Sequence, residues 1–285
     1  MARINDTDLI LNPDGSVFHL GLKPDQIADT ILGVGDPDRV EQVSKYFDSI
    51  EFKNQKREFV THTGTFEGKR VSVISTGIGP DNVEIFFHEV DALVNIDLKS
   101  KTANANKRSL RIIRVGTSGA MQKEIPLGAH LISNHAAGMD NLMTFYNLSQ
   151  SHDELTIGSS LKQHLGISFQ PYVVRGSIEL IGKLGEEMIS GNTLTCPGFY
   201  APQGRQVRVP IRYPNLLADL TTFRHDDFHF SNFEMETAAY FALGRLMGHE
   251  TASVNAIIAN RVLGEFSKNA SEVLDGLILK VLERI

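Results

Sequence analysis

The chain has 285 residues, 41% of them hydrophobic, and a formal net charge of −6. This length and composition suit a globular protein with a substantial core. Its Lys and Arg residues are scattered, so no basic face points to a nucleic-acid partner. We find neither a secretory signal pattern nor an apolar run that would span a membrane. The single cysteine, Cys196, suits a reducing compartment, and we expect a cytoplasmic protein.

Short apolar runs alternate with helical patterns along the chain, which is typical of an α/β fold. Strands are predicted over residues 30–34, 71–75, 110–115, 129–133, 192–195 and 252–259. A helix capped by Asn82 is predicted to bury Val83, Phe86, Phe87, Val90 and Leu93, and a second helix over 238–247 is predicted to end at Gly248. A terminal amphipathic helix should bury Val273, Leu274, Leu277, Ile278, Val281 and Leu282. Because no linker or repeat divides the chain, we expect one domain over residues 1–285.

The first apolar strand runs into a turn, Gly35-Asp36-Pro37-Asp38, that ends at Arg39. Gly33 and Gly35 allow positive φ, which would let backbone N–H groups approach an anion. Arg39 offers a planar fork that could clamp a phosphate or a carboxylate. Taken alone, the same pattern also describes an ordinary turn, so both interpretations stay open.

Three further segments carry similar chemistry. Residues 75–80 form a Gly-rich junction before a helix, where free N–H groups could face an anion. In 114–120, a strand-end Arg114 precedes Thr117 and Ser118; these side chains could complete a phosphate pocket, or the segment is simply a flexible turn. In 232–238, Glu234 and Glu236 either cap a helix or, with Met235, bind a ribose diol.

Taken in order, these motifs resemble the uridine phosphorylases of the nucleoside phosphorylase superfamily. The matching segments are 17–22, 35–39, 57–59, 75–79, 114–119, 199–205, 234–236 and 260–261. The resemblance implies a single α/β domain with a central mixed β-sheet flanked by helices. It also implies phosphorolysis, in which uridine and inorganic phosphate give uracil and ribose 1-phosphate, with no organic cofactor.

The resemblance also implies residue roles. Phosphate would be bound by Gly35, Arg39, Arg114 and Thr117, with Arg57 reaching in from a neighbouring subunit. The ribose would be held by Thr117, Met235 and Glu236, with His19 donated across the interface to the 5′-hydroxyl. The uracil would stack near Phe199 and be read by Gln203 and Arg205. The residues expected to carry catalysis are Arg39, Arg114, Gln203 and Arg205.

Because such active sites are shared across an interface, the resemblance implies a homodimer or a hexamer built as a trimer of dimers. Bacterial relatives hold a monovalent cation, K⁺, at that interface with a glutamate, an isoleucine carbonyl and a serine. Here Glu58 and Ile78 match and Asn82 replaces the serine, so retention of the ion is open. Residues 99–108 resemble an insertion, and their basic side chains suggest a solvated loop.

Alternatives remain at this point. Purine-preferring relatives carry an aspartate after the last core strand, and residues 257–262 contain none, which favours a pyrimidine; uracil against thymine stays open. A nucleosidase that uses water and a non-catalytic nucleoside-binding protein are the other candidates. His225 and His229 have the i, i+4 spacing of a helical metal site but lack further ligands. Cys196 lacks an identifiable partner base and is expected to be a small apolar residue.

Overall fold

The computed structural model describes residues 3–285. Its contacts divide the chain into two compact units. Unit 1 runs up to Ile113 and includes 243–250, and unit 2 comprises Arg114–Ala242 and Thr251–Ile285. The expectation of one domain over 1–285 stays a prediction.

Unit 1 is built on a mixed sheet whose order is β1-β4-β3-β2. The pair β1–β4 is parallel, and the pairs β4–β3 and β3–β2 are antiparallel. Helix α1 packs against β3 and β4, and β5 pairs with β6 as a short separate ribbon. The elements are β1 (Thr30–Val34), α1 (Asp38–Ser44), β2 (Ser49–Lys56), β3 (Phe59–Phe66), β4 (Lys69–Ser75), α2 (Pro80–Asn95), β5 (Ile96–Asp97) and β6 (Thr102–Ala103), with a 3-10 turn at Pro24–Gln26.

Unit 2 contains the strand order β13-β12-β8-β10-β11-β7, with β9 beside β8. The pairs β8–β10 and β10–β11 are parallel, while the pairs β11–β7, β12–β8 and β8–β9 are antiparallel. The elements are β7 (Arg111–Ala120), β8 (His130–Gly138), α3 (His152–Leu165), β9 (Tyr172–Arg175), α4 (Ile178–Leu184), β10 (Ile189–Thr195), α5 (Leu216–Thr222), β11 (Asn232–Glu234), α6 (Thr237–Met247), β12 (Glu250–Asn260), β13 (Glu265–Phe266) and α7 (Ala270–Arg284), with 3-10 turns at Leu142–Phe145 and Ala201–Gln203. The chain passes between the two units within β7, α6 and β12.

The predicted α/β class is confirmed, since both units combine helices with mixed strand pairing. All six predicted strands are present, and β1 has the predicted bounds. The apolar positions predicted on α2 are fully buried, and α6 ends before Gly248, whose φ is +75°. In α7 the predicted apolar face is buried except at Val273, which is partly exposed.

Two local predictions are wrong. Helix α2 begins at Pro80, not after Asn82, because a proline lacks an N–H group and fits the first turn of a helix. The prediction that 99–108 is a solvated loop is wrong at Lys101 alone among its basic residues, since Lys99, Lys107 and Arg108 are exposed. Lys101 is buried, and its Nζ donates to the Leu9 carbonyl at 2.6 Å and pairs with Asp6 at 2.8 Å.

None of the helices among residues 3–285 is long and apolar enough to cross a membrane.

Candidate active site

The two glycine-bearing loops of unit 1 lie side by side at the carboxyl ends of parallel strands. Val34 of β1 is in register with Ser75 of β4, and Thr76 N–H donates to the Val34 carbonyl at 2.8 Å. A Cβ on Gly35 would lie 3.4 Å from the Gly77 carbonyl, so the turn after β1 touches the loop after β4. This edge is where open α/β sheets bind ligands.

The glycines that take positive φ differ from those predicted. Gly77 and Gly79 have φ of +72° and +95°, whereas Gly33 and Gly35 stay outside that region. The turn before α1 is instead organised by Asp36, whose carboxylate accepts the Asp38 N–H at 3.0 Å and whose carbonyl accepts the Arg39 N–H at 3.1 Å. Arg39 therefore occupies the first turn of α1, half-buried.

Arg57 lies at the tip of the β2–β3 hairpin, where Lys56 pairs with Phe59. Its φ is +55°, which an arginine rarely adopts, and the residue is exposed.

The three residues assigned to a cation gather around Gly77. A Cβ at Gly77 would meet the Asn82 amide at 2.5 Å and the Glu58 side chain at 3.1 Å, and Asn82 Nδ2 lies 3.5 Å from the Ile78 carbonyl. A carboxylate and a carbonyl are oxygen donors that a hard cation takes, whereas Asn82 turns its Nδ2 toward the Ile78 carbonyl and would bind an ion only with its amide turned over.

His19 is held by Glu89 of α2, whose carboxylate oxygen lies 2.7 Å from the ring Nδ1. The ring remains partly exposed.

In unit 2, Arg114 lies within β7 and is buried. Its Nη2 donates to Glu236 at 2.6 Å and lies 3.0 Å from Glu234, and its Nη1 donates to the Asn255 side-chain carbonyl at 2.9 Å. Burial opposes the charge on the guanidinium, but the two carboxylates outweigh it and raise the pKa of Arg114 above its usual value. Arg114 is therefore a fixed cation.

The loop predicted after Arg114 is wrong, because β7 continues through Gly116, Thr117 and Ser118 to Ala120. Antiparallel pairing with β11 extends it, with Gly119 opposite Phe233. Gly116 has a packing role, since a Cβ there would lie 2.1 Å from Arg114 Nη1. The alternative of a flexible turn is therefore wrong, and the expected contribution of Thr117 to phosphate binding stays a prediction.

The sequence left two roles open for Glu234 and Glu236, helix capping and binding of a ribose diol, and Glu234 takes the first. Glu234 ends β11 and caps α6: its carboxylate accepts the N–H groups of Glu236 and Thr237 at 2.9 Å and the Thr195 hydroxyl at 2.7 Å. Glu236 is buried and pairs with Arg114, and Met235 between them is partly exposed. Glu234 therefore takes the capping role, and the ribose role expected of Met235 and Glu236 stays a prediction.

The segment assigned to the base forms a compact cluster. Arg205 lies 3.8 Å from the Phe199 ring centroid, donates to the Phe199 carbonyl at 2.7 Å and makes a short hydrogen bond to Gln203 Oε1. Gln203 itself is buried. Because Oε1 accepts from Arg205, the Gln203 amide NH₂ is available as a donor.

Two residues near these clusters, Arg261 and Asn255, were not given roles by sequence reasoning. Arg261 lies 3.4 Å from the Gln203 carbonyl. Burial, and then the positive charge of Arg261, lower the pKa of Arg205 to about 10. Two adjacent guanidinium groups favour negative charge on whatever lies between them. Asn255 and Glu234 hold Arg114, and for Asn255 the only signal was a polar residue in an apolar strand.

The other sequence candidates take structural positions. His225 and His229 lie in a turn closed by the His225–Phe228 pair, not on a helix, and His225 contacts the Ser160 hydroxyl at 2.8 Å. Among residues 3–285, no group of three or more His, Cys, Asp or Glu side chains is placed to hold a metal ion. Burial and then Glu234 raise the pKa of Cys196, which packs in an apolar cluster as an inert thiol.

Comparison with known proteins decides the family. A model of the phosphorylase superfamily matches residues 29–283. The chain belongs to the phosphorylase superfamily. This superfamily member is similar to a uridine phosphorylase of Thermococcus kodakarensis, with 31% identity over 262 residues that cover 90% of this chain and 81% of the relative. It is also similar to a DeoD-type purine nucleoside phosphorylase of Oceanobacillus iheyensis, with 26% identity over 87% of this chain and 88% of the relative.

A solved structure supports the fold of this superfamily member over nearly its full length. A nucleoside phosphorylase of Trypanosoma brucei, which shows uridine phosphorylase activity, has a TM-score of 0.89 and 28% identity and covers 98% of this chain and 100% of its own. The predicted family and its α/β fold are confirmed.

Proposed function

We propose that this chain is a uridine phosphorylase, which cleaves uridine with inorganic phosphate to release uracil and ribose 1-phosphate. The observation that carries the proposal is the pairing of Arg114 with Glu236 at 2.6 Å. This pair places a fixed positive charge, which suits an anionic nucleophile, directly beside a carboxylate. That carboxylate suits a ribose diol, from which it can accept hydrogen bonds. The relatives named above include uridine phosphorylases that this chain matches along most of its length.

The proposed chemistry is a single displacement at C1′ of the nucleoside. A phosphate oxygen forms the new bond to C1′ as the bond from C1′ to N1 of uracil breaks, and the electron pair leaves with the base. We assign Gly35, Arg39, Arg114 and Thr117, with a neighbouring subunit's Arg57, to phosphate. Positioning and fixed charge supply the rate enhancement, so no covalent intermediate with the enzyme is needed.

On the base side, Gln203 and Arg205 are assigned to the uracil ring and Phe199 to its stacking. Gln203 offers donors to a carbonyl of the base, and the charge on Arg205 stabilises the negative charge that develops on the leaving uracil. Arg261 adds a second positive charge beside them.

The ribose is assigned to Thr117, Met235 and Glu236, with His19 from a neighbouring subunit. A homodimer is then the smallest active unit, and a hexamer built as a trimer of dimers is the larger assembly. The exposed Arg57 tip supports this proposal. Glu58, Ile78 and Asn82 would hold K⁺ at that interface through oxygen donors, where the ion would join subunits.

The second candidate is a purine nucleoside phosphorylase, which the DeoD-type relatives favour. Against it stands the absence of an aspartate in residues 257–262. A panel of uridine, thymidine, 2′-deoxyuridine, inosine and adenosine, each with and without phosphate, separates these activities. We expect phosphate-dependent release of uracil. Release of hypoxanthine or adenine alone would favour the purine activity, and release of a base without phosphate would favour a nucleosidase.

A further inference from the structure

Glu89 is a buried carboxylate to which the proposed mechanism gives no role. It lies in the middle of α2, and only 8% of it is exposed. A buried carboxylate is costly unless several donors satisfy it. The donors that satisfy Glu89 all come from one short segment of the chain, around His19.

Four contacts join Glu89 to that segment. Its oxygens accept the backbone N–H of His19 at 2.8 and 3.0 Å and the backbone N–H of Leu20 at 2.7 Å. Its Oε1 also lies 2.7 Å from the ring Nδ1 of His19. One side chain on a rigid helix therefore fixes both the backbone and the ring of His19.

The loop that carries His19 is held from a second side as well. Lys56 of β2 donates to the Phe18 carbonyl, and Asn54 of the same strand donates to the Leu20 carbonyl at 2.8 Å. The ring of Phe18 meets that of His19 edge to face, with centroids 4.9 Å apart. The position of the imidazole is therefore set by contacts on both of its sides.

These contacts also fix which ring nitrogen carries the proton. A carboxylate only accepts hydrogen bonds, so Nδ1 must be the donor to Glu89. In the neutral ring Nε2 is then a bare acceptor, and within residues 3–285 it makes no hydrogen bond. With 29% of the side chain exposed, Nε2 is open to a ligand.

We infer that Glu89 is a positioning residue, which presents His19 Nε2 as an acceptor for the 5′-hydroxyl of the nucleoside and so sets the preference for substrates that carry this hydroxyl. The inference rests on the proposed function. The sequence motifs revealed neither the role of Glu89 nor the position of the proton on His19 Nδ1.

The kinetic test compares uridine with 5′-deoxyuridine, which lacks only the hydroxyl that Nε2 would bind. We expect the native enzyme to prefer uridine in kcat/KM by about tenfold or more, as one hydrogen bond would give. In Glu89→Gln, as in His19→Ala, that preference should shrink to within about twofold, because the amide removes the charged acceptor of Nδ1–H. The rate on 5′-deoxyuridine should change little. A variant that slows both substrates equally would overturn the inference, because that is what a merely structural role predicts.

A second measurement is made on the native protein and does not depend on the folding of Glu89→Gln. In protein labelled with ¹⁵N-histidine, the His19 resonances, assigned by their loss in His19→Gln, report the tautomer. We expect a proton on Nδ1; a neutral ring with its proton on Nε2 instead would overturn the inference. Were no base released from either nucleoside, the proposed function would fail, while the tautomer would still be decided by this spectrum.

Discussion

Arg114 Nη2 lies 2.6 Å from Glu236 Oε2, and both side chains are buried. Glu234 and Asn255 occupy further donors of the same guanidinium, so its orientation is set before any ligand arrives. Preorganised charge of this kind costs no rearrangement at the moment of reaction. Under the proposed function, this contact joins the residue assigned to phosphate directly to the residue assigned to the ribose diol.

Glu236→Gln should lower kcat/KM for uridine by about 10- to 100-fold, the value of a hydrogen bond to a charged group. The physical reason is that the variant weakens both the hold on the ribose and the orientation of Arg114. Parallel measurements on 2′-deoxyuridine, which lacks one hydroxyl, should reveal a smaller loss. An equal loss on both nucleosides would remove the assignment of Glu236 to the diol.

Arg39→Ala should raise the KM for phosphate by about 10- to 100-fold and change that for uridine far less, because a charge-assisted hydrogen bond is lost only from the anion. Initial rates over a grid of phosphate and uridine concentrations separate the two constants. Arg111→Ala, at an exposed arginine of the same unit, is the matched control. Equal weakening of both substrates would count against the role of Arg39.

Gln203→Leu should reduce kcat/KM for uridine by about 10- to 100-fold, since the base would face an apolar group in place of its donors. The loss should be absent from Gln206→Leu, three residues along the same segment and exposed. Steady-state kinetics with uridine decides between them. If both variants have the same kcat/KM, residues other than Gln203 bind the base.

Gly116→Ala should destabilise the protein by about 1–3 kcal/mol, as overpacking does, and also lower activity, because the new Cβ would displace the Arg114 guanidinium 2.1 Å away. Gly182→Ala is the control, since its Cβ meets nothing within 4 Å in helix α4. That change should instead stabilise the helix by up to about 1 kcal/mol. Urea unfolding and kcat/KM of the two variants, measured side by side, check both effects.

Asp91 should contribute to stability only above acidic pH. Burial opposes its charge, but His249 Nε2 at 3.4 Å and a hydrogen bond from Asn95 at 2.6 Å outweigh burial and keep the pKa of Asp91 below its usual value of 3.8. A carboxylate with a lowered pKa stabilises the fold above its unfolded pKa, and the contribution is lost as the pH falls through the folded value. In Asp91→Asn, unfolding midpoints should therefore fall less steeply in acid than in the native protein. Asp227→Asn, in an exposed turn, should follow the native curve.

Much of the fold was predictable from the sequence because its signals are local. The strand over 30–34 is a continuous apolar run, as a strand buried on both faces requires, and the face of α2 repeats at helical spacing. Two of the predictions that failed depended on partners distant in sequence. Gly116 lies in a strand because β11 pairs beyond it, and Lys101 is buried because Leu9 and Asp6 meet its amine.

The candidate site divides in the same way. The segments that contain Arg114, Gln203 and Glu236 match family motifs, so these residues could be predicted from the sequence. The residues that orient them gave weak signals: Asn255 lies 141 positions from Arg114, and Glu89 lies 70 positions from His19. No spacing rule connects such pairs, because only the folded chain brings them into contact.

The most direct test of phosphorolysis follows inorganic phosphate itself by ³¹P NMR after uridine is added to the purified protein. We expect the phosphate resonance to decline as a ribose 1-phosphate resonance grows, in step with released uracil. An unchanged phosphate resonance would contradict phosphorolysis, whether uracil appears with free ribose or does not appear at all.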